Sequence, residues 1–321
     1  MVNTPPISLS IAIVCYRSDS FELRRLITSL LEAVSQLKKG VRTQPIIVWL
    51  IDNTEMSFLE GNSLEGVPLK RALLEINKSN NNSQGITKLE AAAITLATFD
   101  DLKVQMQEQQ VELKLVSGHG NIGYGSAHNL VLANVKSDYH LMLNPDICLD
   151  KQCLAEGITY LAKHDATVMA TPMAFQENGE RQYLCKRYPC VLTLFVRGFC
   201  PAWLQKPFAK RLASYEMREL ACNKLEKSAE PVVSIISGCF MLCRTSALDA
   251  INGFDKRYFL YFEDFDLSLR MAGQGKIAYV PSMQIIHGGG NAARKGLNHI
   301  FMFVRSGIRF FNSHGWRWLR S

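Results

Sequence analysis

Residues 141–149, LMLNPDICL, constrain the fold more than any other stretch. Leu141 to Leu149 reads as a buried strand stopped by Pro145, which cannot donate to a sheet ladder, and a single carboxylate, Asp146, stands at that stop. Ile7 to Cys15 is likewise β-rich and nearly continuous in apolar residues, as suits a central parallel strand covered on both faces. Apolar residues then recur at helical spacing from Phe21 to Leu37, and Gly40 closes that helix. A second strand, Ile46 to Ile51, ends on Asp52 and Asn53. Strand, helix and strand in this order open an α/β sheet of the nucleotide-binding type, in which ligands sit at the carboxyl ends of the strands. Asp52 and Asp146 therefore stand where a charge can be used, although Asp also closes strands into plain turns.

Residues 54–110, polar and Asn/Ser-rich, read as an insertion on the edge of the domain, after which Val111 to Val116 resumes the sheet. Gly118, Gly120 and Gly123 follow that strand at dinucleotide-fingerprint spacing. The fingerprint belongs on the first strand of its fold, however, and no acid closes a strand about 20 residues on. The glycines fit better as a place where backbone approaches another phosphorylated ligand, and an NAD-dependent oxidoreductase is kept as the alternative from a different class. Lys151 to His164 reads as helix, Ala166 to Met173 as strand and Val232 to Arg244 as one more buried strand. Residues 175–231 read as loop-rich and basic, with aromatics interleaved among Arg and Lys, a composition that suits either a solvated face or an anionic lipid surface. Leu297 to Phe311 carries an apolar helical face with Arg305 and Arg309 nearby, and reads either as a helix packed on the domain or as an amphipathic membrane contact.

A second acidic cluster, Glu263, Asp264 and Asp266, lies in YFLYFEDFDLSLR, and His287 follows downstream. Two carboxylate sites and an imidazole make a case for a metal and a base, while helix capping accounts for acids such as Asp266 at a helix start. The aromatic run Tyr258, Phe259, Tyr261 and Phe262 can exclude water and raise a carboxylate pKa.

The nine cysteines include no C-x-x-C and mostly sit in apolar runs, so they read as reduced and structural. The formal charge of +7 suits an anionic partner without choosing one. No run approaches the roughly 20 apolar residues of a membrane span. With no signal-peptide pattern at the N-terminus, a cytoplasmic location is expected.

Taken in order, these motifs resemble the inverting glycosyltransferases of family 2, most closely the bacterial O-antigen and lipopolysaccharide rhamnosyltransferases. The resemblance rests on Val14-Cys15-Tyr16, Asp52-Asn53, Asn121-x-Gly123 with Asn129, Leu143-Asn144-Pro145-Asp146, Ser237-Gly238-Cys239-Phe240-Met241, Gly253-Phe254-Asp255, Tyr261 through Leu267 with Arg270, and Ile286-His287. It implies a GT-A fold, a Rossmann-like, mostly parallel central sheet flanked by helices, over residues 1–290, and a helical extension over 291–321 with a possible membrane contact. It implies Asp264 as the base, with Glu263 as the fallback, and Mg2+ or Mn2+ held by Asp146 and His287. Cys15, Tyr16, Asp52, Asn121, Gly123, Asn129, Asn144 and Asp146 would bind the nucleotide sugar, and Gly238, Phe262 and Glu263 the acceptor. The implied donor is dTDP-L-rhamnose, with a UDP-hexose as the sister reading. The implied acceptor is a lipid-linked saccharide at the cytoplasmic face of the inner membrane, and no nucleic acid is involved.

Overall fold

The structure, a computed structural model, describes residues 6–54, 99–221, 233–288 and 297–319. Its main sheet has nine strands in the order β3-β2-β1-β4-β10-β6-β11-β5, with β7 pairing on β6. These are β1 (Leu9–Cys15), β2 (Ile46–Asp52), β3 (Val111–Val116), β4 (Tyr139–Leu143), β5 (Ile147–Leu149), β6 (Thr167–Phe175), β7 (Arg181–Gln182), β10 (Phe240–Arg244) and β11 (Lys276–His287). The neighbours β3, β2, β1 and β4 are parallel, as are β6 and β11, whereas β10 runs antiparallel between β4 and β6 and β5 antiparallel to β11. A separate ribbon joins β8 (Cys185–Lys186) to β9 (Ile235–Ile236).

Both faces of the sheet are covered, which explains the unbroken apolar runs. Leu141 and Leu143 face the cluster that also holds Leu26, Ile27 and Leu30 of α1 (Ser20–Gly40), while Met142 between them faces Met241, Leu267 and Met271 on the other side. Each such fully buried side chain contributes about 1.5–3 kcal/mol. Helix α1 starts where the Asp19 carboxylate accepts the Phe21 N–H at 2.7 Å, a cap worth about 1 kcal/mol. Helices α2 (Tyr124–Leu132) and α3 (Cys153–Lys163) flank the sheet, and α4 (Val191–Phe199), α5 (Ala209–Tyr215), α6 (Glu263–Ala272) and α7 (Leu297–His314) complete the named helices used below.

Four expectations change. The apolar run 141–149 is two strands: β4 lies between β1 and β10, while β5 pairs with β11 at the far edge, and the Asn144-Pro145-Asp146 turn carries the chain between them. The run from Val232 to Arg244 is likewise broken at Ser237–Cys239, with β9 in the ribbon and β10 in the main sheet. Residues 191–215 are mostly helical rather than loop. Residues 55–98 of the expected insertion lie outside the described residues; its end, 99–108, is a helix whose Leu102 and Met106 sit in the main core, so this part is no edge appendage.

Candidate active site

The antiparallel register of β10 on β4 builds the centre of the site. It sets Phe240 opposite Leu143, and the Asn144 N–H donates to the Cys239 carbonyl at 2.9 Å. Asp146, two residues beyond Asn144, and Gly238, one residue before Cys239, are thereby held at the same end of the sheet. The Gly238 N–H donates to Asp264 Oδ2 at 3.0 Å, and the Phe265 N–H to Asp264 Oδ1 at 3.0 Å. A Cβ on Gly238 would stand 3.2 Å from the Asp264 Cβ and 3.4 Å from the Tyr124 ring, so glycine allows this close approach. The Tyr124 hydroxyl donates to the Gly238 carbonyl at 2.6 Å, fixing the residue whose N–H holds the carboxylate.

Glu263 and Asp264 occupy the first turn of α6, where the helix N-terminus favours negative charge. Burial nevertheless raises both carboxyls above the ordinary carboxylate range. Glu263, only 6% exposed, is raised further, because the charge on Asp264 adds to its burial and its Oε2 has no hydrogen-bond partner among the described residues. Asp264 keeps the more acidic proton because the Gly238 and Phe265 N–H groups stabilise its anion. The two carboxyls titrate as a coupled pair, each held above its ordinary range by burial. The residues just before the helix, Tyr261 and Phe262, have φ of 70° and 64°, left-handed backbone that costs on the order of 1–3 kcal/mol per residue and is retained only where packing enforces it. Here the packing comes from α7, whose Phe303 and Phe310 lie 5.0 and 5.3 Å, centroid to centroid, from the Phe262 ring. Asp266 belongs to this scaffold: it pairs with Arg270 at 2.7 Å and with His314 of α7 at 2.8 Å.

His287, the last residue of β11, brings its Nε2 to 3.5 Å from Asp146 Oδ1. The Gln182 amide donates from Nε2 to the His287 carbonyl at 2.8 Å, so its Oε1 is the atom 2.8 Å from His287 Nδ1. An acceptor there requires a proton on Nδ1, so that the neutral ring carries its lone pair on Nε2, the arrangement by which outer groups orient a metal-ligating histidine. Two ligands about 2.1 Å from one cation stand about 3 to 3.5 Å apart, so the pair fits a divalent ion. Among the described residues no group of three or more His, Cys, Asp or Glu forms a closed cage. Two protein ligands suit a cation that completes its shell with phosphate oxygens and water.

On the β1–β2 side, Asp52 ends its strand and accepts the Thr54 N–H at 3.0 Å. Asn53 is buried; its amide donates to Asn121 Oδ1 at 3.1 Å and accepts the Ile122 N–H at 3.1 Å, tying the glycine loop to β2. Tyr16 is exposed beside it, whereas the Cys15 thiol is buried in the core and pushed up to about 12 by that burial.

Against this geometry stand the comparisons. No family profile matches the chain. Over 196 residues it is 31% identical to the rhamnosyltransferase WbbL of Escherichia coli (strain K12), an alignment that covers 57% of this chain and 67% of that protein. The chain belongs to the family 2 rhamnosyltransferases. It is also 26% identical over 188 residues to the N-acetylglucosaminyl-diphospho-decaprenol L-rhamnosyltransferase of Mycobacterium tuberculosis (strain ATCC 25618 / H37Rv), covering 54% of this chain and 58% of that one, so it spans just over half the length of that relative. Two solved structures share the GT-A fold: GalNAc-T7 with UDP, GalNAc and Mn2+ (TM-score 0.54, 13% identity, 96% of this chain and 48% of that one) and the mannosyltransferase PcManGT of Pyrobaculum calidifontis with GDP-Man and Mn2+ (TM-score 0.54, 11% identity, 95% and 65%).

In this rhamnosyltransferase the structure gathers Asp146, His287, Gly238, Glu263 and Asp264 into one place, with Asp52 on the adjoining strand end and Asn121 in the loop after β3. It turns others away. Both amide atoms of Asn129 are engaged with the Phe254 backbone, at 2.8 and 2.9 Å, which makes it a brace for the Gly253–Phe254 turn. The Phe262 ring faces α7 and the Cys15 side chain faces the core. Tyr124 and Gln182 were not anticipated: Tyr124 looks in sequence like any helix-start aromatic, and only the pairing of β7 with β6 brings Gln182 to His287.

Gly123 has a packing reason that owes nothing to a dinucleotide. Its φ is 88°, and a Cβ there would lie 2.2 Å from the Phe259 carbonyl oxygen, in the loop that leads to Glu263. Gly123→Ala should therefore destabilise the enzyme by about 3 kcal/mol or more, read from urea unfolding. Glu263→Gln should do the opposite at high pH. A carboxyl raised on folding binds more protons in the native than in the unfolded state, so the stability it permits falls as pH rises above its unfolded value of about 4.3. The Gln variant should match the parent in melting temperature at pH 4 and exceed it increasingly toward alkaline pH.

Proposed function

We propose that this glycosyltransferase moves L-rhamnose from dTDP-L-rhamnose to a saccharide carried on a lipid, with inversion at the anomeric carbon. The observation that carries the reading is Asp264: a carboxyl group aimed by two backbone N–H groups beside buried Glu263, at the same sheet end as the Asp146–His287 pair. The acceptor hydroxyl gives its proton to Asp264 as its oxygen bonds to the sugar C1; the bond from C1 to the diphosphate oxygen breaks, and dTDP leaves with the electron pair. Asp146 and His287 would hold Mg2+ or Mn2+, which when bound supplies charge stabilisation to the departing diphosphate. Asp52 accepts the N3–H that a thymine or uracil presents, with Tyr16 and the Asn121–Gly123 loop beside it. Gly238 and Glu263 border the acceptor side.

Support for the sugar comes from the two relatives' names, and support for a lipid carrier from the decaprenol-linked substrate named for the mycobacterial one. Manganese in both fold neighbours supports the metal. The test is a thermal-shift panel of dTDP, UDP and GDP with and without Mn2+, followed by turnover of dTDP-L-rhamnose. A ligand at about 100 times its dissociation constant adds about 2.7 kcal/mol. The reading requires the largest shift with dTDP and a dependence of that shift on Mn2+; a larger response to UDP would overturn the donor.

A further inference from the structure

Two segments far apart in sequence, residues 191–211 and 297–319, are joined on one side of the molecule. The Val191 and Leu192 N–H groups donate to the carbonyls of Arg317 and Trp318 at 2.8 and 3.1 Å, Arg211 donates to the Leu319 carbonyl at 2.6 Å, and the Phe199 and Phe303 rings touch at 6.4 Å between centroids. Their outer side chains are large, apolar and exposed: Phe195, Phe199 and Trp203 from the first segment, and Phe301, Val304 and Ile308 of α7 with Trp316 and Trp318 from the second. Trp203 and Phe301 are each 67% exposed. Large apolar side chains exposed in such number mark a contact.

Charge selects the partner. The two segments contain seven Lys and Arg and no Asp or Glu, so they hold the entire formal excess of +7; the remaining chain balances at 29 against 29. Lys206, Lys210 and Arg305 are exposed and make no ion pair among the described residues. Arg197 pairs with Glu216 at 3.1 Å, and the segments themselves bring no carboxylate; aromatic and aliphatic side chains for the acyl boundary with such an excess of cations are the composition of an interfacial lipid-binding face. No helix among the described residues is long and apolar enough to cross a membrane, so the contact lies on the surface.

We propose that these two segments form one composite face that docks on an anionic lipid bilayer. The other side of α7 holds the acid loop: Ser306 donates to the Leu260 carbonyl at 2.8 Å, His299 is hydrogen-bonded to the Tyr261 hydroxyl at 2.9 Å, and Gly307 lets the Phe262 ring approach. Docking would place Glu263 and Asp264 about one helix diameter, roughly 10 Å, behind the lipid surface, where a lipid-linked acceptor is delivered. The proposal rests on the acceptor reading only for this last step.

Three of the four tryptophans, Trp203, Trp316 and Trp318, lie in the face, which gives a readout independent of substrate. The full chain is titrated with vesicles of phosphatidylcholine alone and of phosphatidylcholine with phosphatidylglycerol, following tryptophan emission and co-sedimentation. Expected are a blue shift and partition on the anionic vesicles only, weakened by high salt. Phe301→Ser/Val304→Ser/Ile308→Ser and, separately, Lys206→Glu/Lys210→Glu should each weaken partition roughly tenfold or more while leaving the dTDP thermal shift unchanged. Equal binding to both vesicles, binding to neither, or a face that instead dimerises the protein would overturn the proposal. So would variants that partition like the parent. Anionic binding without rhamnosyl transfer would leave the proposal standing and sink the acceptor reading.

Discussion

Asp264→Asn is expected to lower kcat by about three orders of magnitude while leaving the dTDP thermal shift in place, because a positioned general base contributes about 10²–10⁴. The carboxylate is held by two N–H donors, from Gly238 and Phe265, and both interactions favour the ionised form. An Asn side chain offers one acceptor atom, so one of those donors would face an NH2 group, at a structural cost of about 1–3 kcal/mol. Thermal unfolding measured beside the kinetics separates that cost from the loss of the base. The pH profile gives an independent readout. Since burial raises Asp264, the acid limb of kcat should lie above the ordinary carboxylate range. Glu263 gains its extra shift from the charge already present on Asp264, so Glu263→Gln should leave that limb where it is. If Glu263→Gln abolishes turnover and Asp264→Asn retains a tenth or more of it, the two roles are exchanged.

The strands were legible where burial on both faces wrote an unbroken apolar run, as in Ile7 to Cys15. What hydropathy cannot carry is a strand's choice of neighbour. Residues 141–149 stay apolar on both sides of Asn144-Pro145-Asp146, yet the chain crosses from the middle of the sheet to its edge within that turn, and the break at Ser237–Cys239 hides for the same reason. Both breaks carry the site, since Asp146 and Gly238 lie in them. Helices α4 and α5 were obscured because Gly198, Pro201 and Pro207 punctuate a segment whose outer face is as aromatic as its inner one. The acids at 263, 264 and 146 stood out because carboxylates are rare beside buried apolar runs. Asn129 stood out by the same polarity, but its amide answers the backbone of Phe254 rather than a ligand, a distinction that only the tertiary contact makes.

Asp146→Ala should abolish the manganese dependence of the dTDP thermal shift and lower kcat/KM by at least about a hundredfold, since truncation leaves His287 alone facing the cation. Manganese binding followed by electron paramagnetic resonance checks this without turnover: the variant should hold no more Mn2+ in the presence of dTDP than a denatured control. Gln182→Leu is the graded counterpart. Gln182 touches His287 at its Nδ1 and at its carbonyl, so its loss frees the ring to rotate and lets the proton move between the two nitrogens, without removing a ligand. Losing such an orienting partner typically costs 10–100-fold in metal affinity. An ordered series, with the parent binding Mn2+ best, Gln182→Leu about tenfold to a hundredfold weaker and Asp146→Ala weakest, would mark the pair as the metal site. If Gln182→Leu bound like the parent while His287→Ala did as well, the imidazole would be a structural neighbour of Asp146, and the cation would depend on that carboxylate and the diphosphate alone.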